Sequence, residues 1–171
     1  MRAVIQRVTR AAVEVEGHVI ARIDGGLLML LGVAKDDTEA DARYVADKLV
    51  AMRIFRDAEG KMNRSIVEAG GRLLIVSQFT LLGDLAKGRR PSFDHAAHPV
   101  HARVLYERVA AMVRHRGIPV ETGRFGADMR VSLDNDGPVT FLLESRTAPI
   151  RPRGQDSSAQ SEEEPGDNEK G

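Results

Sequence analysis

A chain of 171 residues has room for one domain with a genuine hydrophobic core, and at 42% apolar content most of it is expected to be globular. It has no cysteine, which excludes disulfides and thiolate metal sites and suits a reducing cytoplasm. Formal charge is zero, but residues 146–171 hold four cations against six anions, leaving a body of 21 cations and 19 anions that permits RNA contact without demanding it.

In chain order, Val4 to Val8 and Ala12 to Val15 read as strands, and His18 to Ile23 follows the Glu16-Gly17 turn as the second arm of a hairpin. Arg7 interrupts the short apolar start, so no signal peptide is expected. Leu27 to Val33 is almost continuously apolar, as in a strand covered on both faces, and is too short to cross a bilayer. The period then changes: Ala42, Val45, Ala46, Leu49 and Met52 recur at helical spacing behind an approximate capping box, Thr38-Glu39-Ala40-Asp41. Ile54 to Arg56 reads as a short strand before the Asp57-Ala58-Glu59-Gly60 turn. Leu73 to Val76 reads as a buried strand running into Ser77-Gln78-Phe79-Thr80.

A second helix is predicted from Pro99, with Ala102, Leu105, Val109, Met112 and Val113 as its inner stripe and Gly117 and Pro119 stopping it. Strands are predicted near Val120, over Met129 to Leu133 and over Val139 to Leu143. Strands outnumber helices and do not alternate with them, which predicts an α/β chain of the α+β kind, a layered or barrel-like sheet with two main helices. The segment 146–171, rich in Pro, Gly, Ser, Gln and Glu, is predicted to be a disordered tail on a domain spanning 1–145.

Few standard catalytic signatures are present. There is no phosphate-binding loop, no nucleophile elbow and no metalloprotease motif. His95, His98 and His101 lack companion carboxylates or cysteines and read as surface or capping residues, so neither a metal nor a cofactor is expected. Two segments remain. Ser77-Gln78-Phe79-Thr80 puts two hydroxyls and an amide at a strand's end, where they can line a pocket or be ordinary strand-end polar residues. Asn135-Asp136-Gly137-Pro138-Val139-Thr140 is a turn whose Gly-Pro bond suits a cis peptide, or a plain hairpin turn.

Five ordered motifs resemble the D-aminoacyl-tRNA deacylases. They are Met1-Arg2-Ala3-Val4-Ile5-Gln6-Arg7-Val8; Ser77-Gln78-Phe79-Thr80; Lys87-Gly88-Arg89-Arg90-Pro91-Ser92-Phe93; Thr122-Gly123-Arg124-Phe125-Gly126-Ala127-Asp128-Met129; and Asn135 through Thr140. The resemblance reaches Ser145 and excludes the tail. It implies a homodimer acting on D-aminoacyl-tRNA at its acceptor end, with no membrane role. A cis Gly137-Pro138 peptide would enter the partner's pocket and reject L side chains by steric exclusion, and glycyl-tRNA would then be a possible substrate. Ser77, Gln78, Phe79 and Thr80 would carry catalysis, with backbone N–H groups near Gln78 and Phe79 stabilising an oxyanion. Arg7 would fix the Gly137-Pro138 loop through backbone carbonyls. Phe125, Gly126, Ala127 and Met129 would hold the terminal adenosine, and Arg89 and Arg90 would touch phosphates. Two other readings compete: a small-ester hydrolase attacking through Ser77 or Thr80, and a nucleic-acid-binding module without catalysis.

Overall fold

One strand organises the sheet. In the computed structural model, which describes residues 1–86 and 88–145, β1 (Arg2–Val15) is antiparallel to three others. One edge of it pairs first with β3 (Gly26–Gly32) over Arg2 to Val8, then with β2 (His18–Ile23) over Ala11 to Val15. The opposite edge pairs along almost its whole length with β8 (Arg130–Glu144). Two parallel neighbours, β6 (Arg72–Ser77) and β7 (Val120–Thr122), extend the sheet beyond β3. The outcome is a nearly closed, barrel-like sheet with two helices, α1 (Glu39–Ala51) and α2 (Pro99–His115). A two-stranded ribbon, β4 (Phe55–Arg56) with β5 (Met62–Arg64), lies apart, and β5 carries no apolar run that announces it.

Residues on either side of a strand alternate, and here both sides are buried. On β3 and β6, Leu27, Met29, Leu31, Leu73 and Ile75 pack with the buried stripes of α1 and α2, while Leu28, Leu74 and Val76 join a second cluster with Val8, Ala11, Val13 and Ile23. This explains the continuous apolar runs. On β1 the parity changes: Ala3 and Ile5 belong to the helix-side core, Ala11, Val13 and Val15 to the other. The switch falls at exposed Thr9-Arg10, beside a register shift between Val8 and Arg10. That irregularity makes one strand look like two in the sequence pattern.

A second difference bears on function. Met129–Leu133 and Val139–Leu143 are not two strands joined by a hairpin. Both halves pair with β1 and form the single strand β8, because Asn135 sits opposite Val8 and Thr140 opposite Gln6. Residues 136–139 therefore bulge out of the ladder instead of reversing the chain. By contrast, the Glu16-Gly17 turn has positive φ at both residues (52° and 80°), as a tight hairpin with right-twisted strands requires.

The helix starts follow their caps. Asp41 Oδ2 accepts from both Thr38 N (2.8 Å) and Thr38 Oγ1 (2.9 Å), completing the capping box of α1. His98 caps α2 by accepting from Val100 N through Nδ1 at 3.4 Å, with Pro99 as the first helical residue. No helix among the described residues is long and apolar enough to cross a membrane. The tail prediction for 146–171 and the position of Lys87 lie outside the described residues.

A buried clasp joins three distant segments. The Met1 α-ammonium pairs with Asp37 Oδ1 at 2.7 Å and donates to Ser145 Oγ at 2.6 Å; Ser145 Oγ in turn donates to Asp41 Oδ1 at 2.7 Å. Asp37 also accepts from Ala34 N at 2.6 Å. Removing one partner of a buried ion pair strands the other charge. Asp37→Ala is expected to cost roughly 3–5 kcal/mol, read as a lower urea midpoint at unchanged slope.

Candidate functional site

The end of β6 delivers Ser77, after which Gln78 breaks the strand and a single 3-10 turn, Phe79–Leu82, begins. The turn lies hard against the end of β3. A Cβ on Gly32 would come within 2.4 Å of Leu82 Cδ2 and 2.9 Å of the Gln78 carbonyl, so only glycine permits this approach. Gln78 N–H is engaged by the Leu31 carbonyl at 2.8 Å. Among the described residues, Phe79 N–H meets no acceptor, as the first amides of a helical turn leave their donors unpaired. Of the two amides expected to face an oxyanion, only that of Phe79 is therefore available.

Two cavities meet at this point. The larger, about 580 Å³, is mostly apolar and lies between the start of α2 (Pro99, Ala102, Tyr106), Phe93 and Phe125. The smaller, about 270 Å³, is bounded by Ala127, Asp128, Met129 and Val131. Ser77, Gln78, Phe79 and Gly126 form the wall common to both. Phe125 lines the larger cavity, Ala127 and Met129 the smaller. Thr80 lines neither; it is exposed, and its hydroxyl accepts from the Gln78 side-chain amide. No carboxylate or imidazole is hydrogen-bonded to Thr80 or Ser77 among the described residues; His98 lines the same cavity as Ser77, but its Nδ1 accepts from Val100 N, so neither hydroxyl is paired with a base.

Phe79 is 58% exposed and meets Phe93 edge-on at 5.0 Å between ring centroids. This contact ties the base of the following loop to the site. The loop is pinched shut by Asp84 and Ser92, which exchange backbone hydrogen bonds of 2.8 and 3.0 Å, and it carries exposed Arg89 and Arg90 outside the cavities. Tyr106 and Phe93 were not among the expected site residues. The Ala102-Tyr106 spacing, one helical turn, is the sequence signal that places both on one face of α2.

Arg7, Gly137 and Pro138 form a separate group. The Gly137-Pro138 peptide is cis, and both residues are exposed on the bulge of β8. Arg7 is 2% exposed; its Nη1 donates to the Ile54 carbonyl at 2.5 Å, and its Nε lies 2.9 Å from Asp136 Oδ2. Arg7 therefore reaches the loop through the Asp136 carboxylate and gives its hydrogen bond to Ile54, not to a carbonyl of the loop. None of the three lines the cavities of its own chain.

A family model described as D-Tyr-tRNA(Tyr) deacylase matches residues 4–144. The chain belongs to that family. It is similar to the D-aminoacyl-tRNA deacylase of Anaeromyxobacter dehalogenans (61% identical, covering 85% of this chain and 98% of the relative). It is also similar to that of Myxococcus xanthus (57%, covering 90% and 100%). Among solved structures, the c-Myc DNA Unwinding Element Binding Protein shares 39% identity at a TM-score of 0.81, covering 85% of this chain and 99% of that one. A probable eukaryotic D-amino acid tRNA deacylase shares the fold at 22% identity and a TM-score of 0.73, covering 84% and 98%. Membership makes this chain an enzyme of the hydrolase class, a deacylase.

Within the deacylase site, Tyr106 is set by one hydrogen bond, its hydroxyl donating to the Ile75 carbonyl at 2.8 Å. Burial pushes its pKa up to about 12, chiefly by desolvation of the phenolate, against a partial lowering by Arg114. Because the folded pKa exceeds the unfolded value near 10, the stability linked to neutral Tyr106 is complete below pH 10. It is lost progressively as pH rises toward 12. Tyr106→Phe is expected to flatten the fall in stability between pH 10 and 12, measured by denaturant titration at each pH.

Proposed function

We propose that this chain hydrolyses the ester of D-aminoacyl-tRNA, releasing a free D-amino acid and tRNA, as a homodimer in the cytoplasm. The observation that carries this reading is the junction of two cavities at Ser77, Gln78 and Phe79. The larger, walled by Phe93, Tyr106 and Phe125, suits a stacked terminal adenosine. The ester would then lie at the common wall; Phe125 and Gly126 keep the adenosine role expected of them, and Ala127 and Met129, expected to share it, border the smaller cavity next to it.

Ester hydrolysis builds an oxyanion, and the unpaired Phe79 N–H is the donor best placed to meet it. Thr80 meets no base among the described residues, so we assign it a positioning role through its contact with Gln78 and assign the ribose 2′-hydroxyl to orienting water. Arg89 and Arg90, exposed on the loop anchored by Phe93, suit phosphates of the acceptor end.

The dimer and chiral selection rest on β8. The edge of this fifteen-residue strand away from β1 has no partner among the described residues, and Leu142 on it is 77% exposed. A long bare edge with apolar side chains invites a second chain. Gly137 and Pro138 project from the same strand and line neither of the two site cavities of their own chain, which suits insertion into the partner's. There the loop would exclude an L side chain by clash and leave a D side chain directed to solvent. Glycine offers nothing to exclude, so glycyl-tRNA is also a substrate in this reading.

The binding-module reading draws on the name of one relative, the c-Myc DNA Unwinding Element Binding Protein, and one assay separates it from ours. Purified protein is offered D-tyrosyl-tRNA and L-tyrosyl-tRNA. Release of D-tyrosine alone is expected, whereas cleavage of neither favours binding without catalysis. Thr80→Ala is expected to slow the reaction about tenfold, where loss of a true nucleophile costs roughly 10⁶-fold. A 2′-deoxy terminal adenosine hydrolysed at full rate would remove the 2′-hydroxyl from the mechanism.

A further inference from the structure

We propose that Asn135 and Asp136 are positioning residues for chiral selection, two tethers that stiffen the Gly137-Pro138 loop. The proposal rests on the reading of that loop as a steric filter. Between Asn135, opposite Val8, and Thr140, opposite Gln6, four residues of β8 leave the ladder. Their backbone groups lose the strand bonds that hold the rest of β8, and such an excursion would rock unless something replaced them.

Side chains of the loop replace them. Asn135 Nδ2 donates to the Val139 carbonyl at 3.1 Å, and Asn135 Oδ1 accepts from Val139 N at 2.7 Å. One amide thus substitutes for a facing backbone residue and closes Asp136, Gly137 and Pro138 into a ring pinned at its base. Asp136 supplies the second tether. Its carboxylate lies 2.9 Å from Nε of Arg7, a cation buried in the sheet and hydrogen-bonded to Ile54. That Nε makes no directed hydrogen bond, so the attraction is electrostatic and draws the loop inward without fixing its rotation. Asn135 fixes the rotation.

Selection by clash is only as strict as the wall is stiff. A loop that yields by about an ångström admits the side chain it exists to reject, because positioning tolerances at such sites are about 0.5 Å. A purely structural role for Asn135 and Asp136 would lower stability and leave the ratio of D to L hydrolysis unchanged. A positioning role changes that ratio.

The test compares Asn135→Ala and Asp136→Asn with Gly137→Ala as the reference for a displaced loop. A Cβ at Gly137, where φ is +142°, would meet Val139 Cγ2 at 2.5 Å and Val139 N at 2.9 Å. Each variant is assayed on D- and L-tyrosyl-tRNA, with thermal melts alongside. The expected result is a D-to-L ratio about tenfold lower in Asn135→Ala, the scale of one or two lost hydrogen bonds, with a smaller fall in Asp136→Asn. Asp136→Asn keeps shape and the Asn135 clamp, and so carries the test if Asn135→Ala does not fold. If Gly137→Ala lowers the ratio while neither other variant does, the tethers are overturned and the filter stands. If none of the three changes the ratio, the filter reading fails and the tethers with it.

Discussion

The ladder between β1 and β8, which runs the length of both strands with register shifts at Gln6/Val8 and Val8/Arg10, is the constraint on which the rest of the structure depends. Pairing both halves of β8 with a single strand fixes where residues 136–139 must leave the sheet. Arg7 occupies the matching gap in β1, between Gln6 and Val8, where its side chain is buried and faces the bulge through Asp136. A buried guanidinium is costly unless something claims it, and here the Ile54 carbonyl and the Asp136 carboxylate do so. The point at which the loop leaves the sheet is thus set by the register of the strands on either side of it.

The cavities depend on a different part of the same sheet. β3 and β6 run parallel and end together, and the close approach at Gly32 lets the 3-10 turn cap both. Ser77 ends β6 and Gln78 is held by its N–H bond to the Leu31 carbonyl, whereas Phe79 stands out into solvent with an amide that meets no acceptor among the described residues. Neither the Ser77 nor the Thr80 hydroxyl is hydrogen-bonded to a base among the described residues. The site's chemical resource is consequently an oriented donor in a mostly apolar cleft, which favours electrostatic stabilisation of charge over nucleophilic attack.

Much of the fold was legible in local pattern. The α1 capping box, the Pro99 start of α2 and the doubly buried runs on β3 and β6 all follow from short-range periodicity and cap chemistry. What was not legible depends on partners distant in sequence. Asp136-Gly137-Pro138 has the composition of a reversing turn, and only pairing of both flanks with β1 makes it a bulge. Arg7 gave no sign that its contacts were Ile54 and Asp136. The clasp of Met1, Asp37 and Ser145 spans 144 positions and has no local signature. At the site, Ser77, Gln78 and Phe79, singled out by resemblance to family motifs, line both cavities while Thr80 lines neither, and the engagement of Gln78 N–H by Leu31 and the place of Tyr106 in the larger cavity required packing.

In the proposed dimer the loop of one chain completes the cavity of another, and subunit mixing tests this directly. One parent is Ala102→Trp, whose own cavity is filled but whose loop is intact. The other is Gly137→Ala, whose cavity is open but whose loop is displaced. Alone, the first is predicted to be inactive and the second to cleave both D- and L-tyrosyl-tRNA. After exchange with excess Ala102→Trp chain, the surviving cavities face intact loops, and selective cleavage of the D substrate is predicted to return. Continued cleavage of L-tyrosyl-tRNA at the undiminished rate would mean that each cavity answers to its own loop, or to none, and would contradict the account.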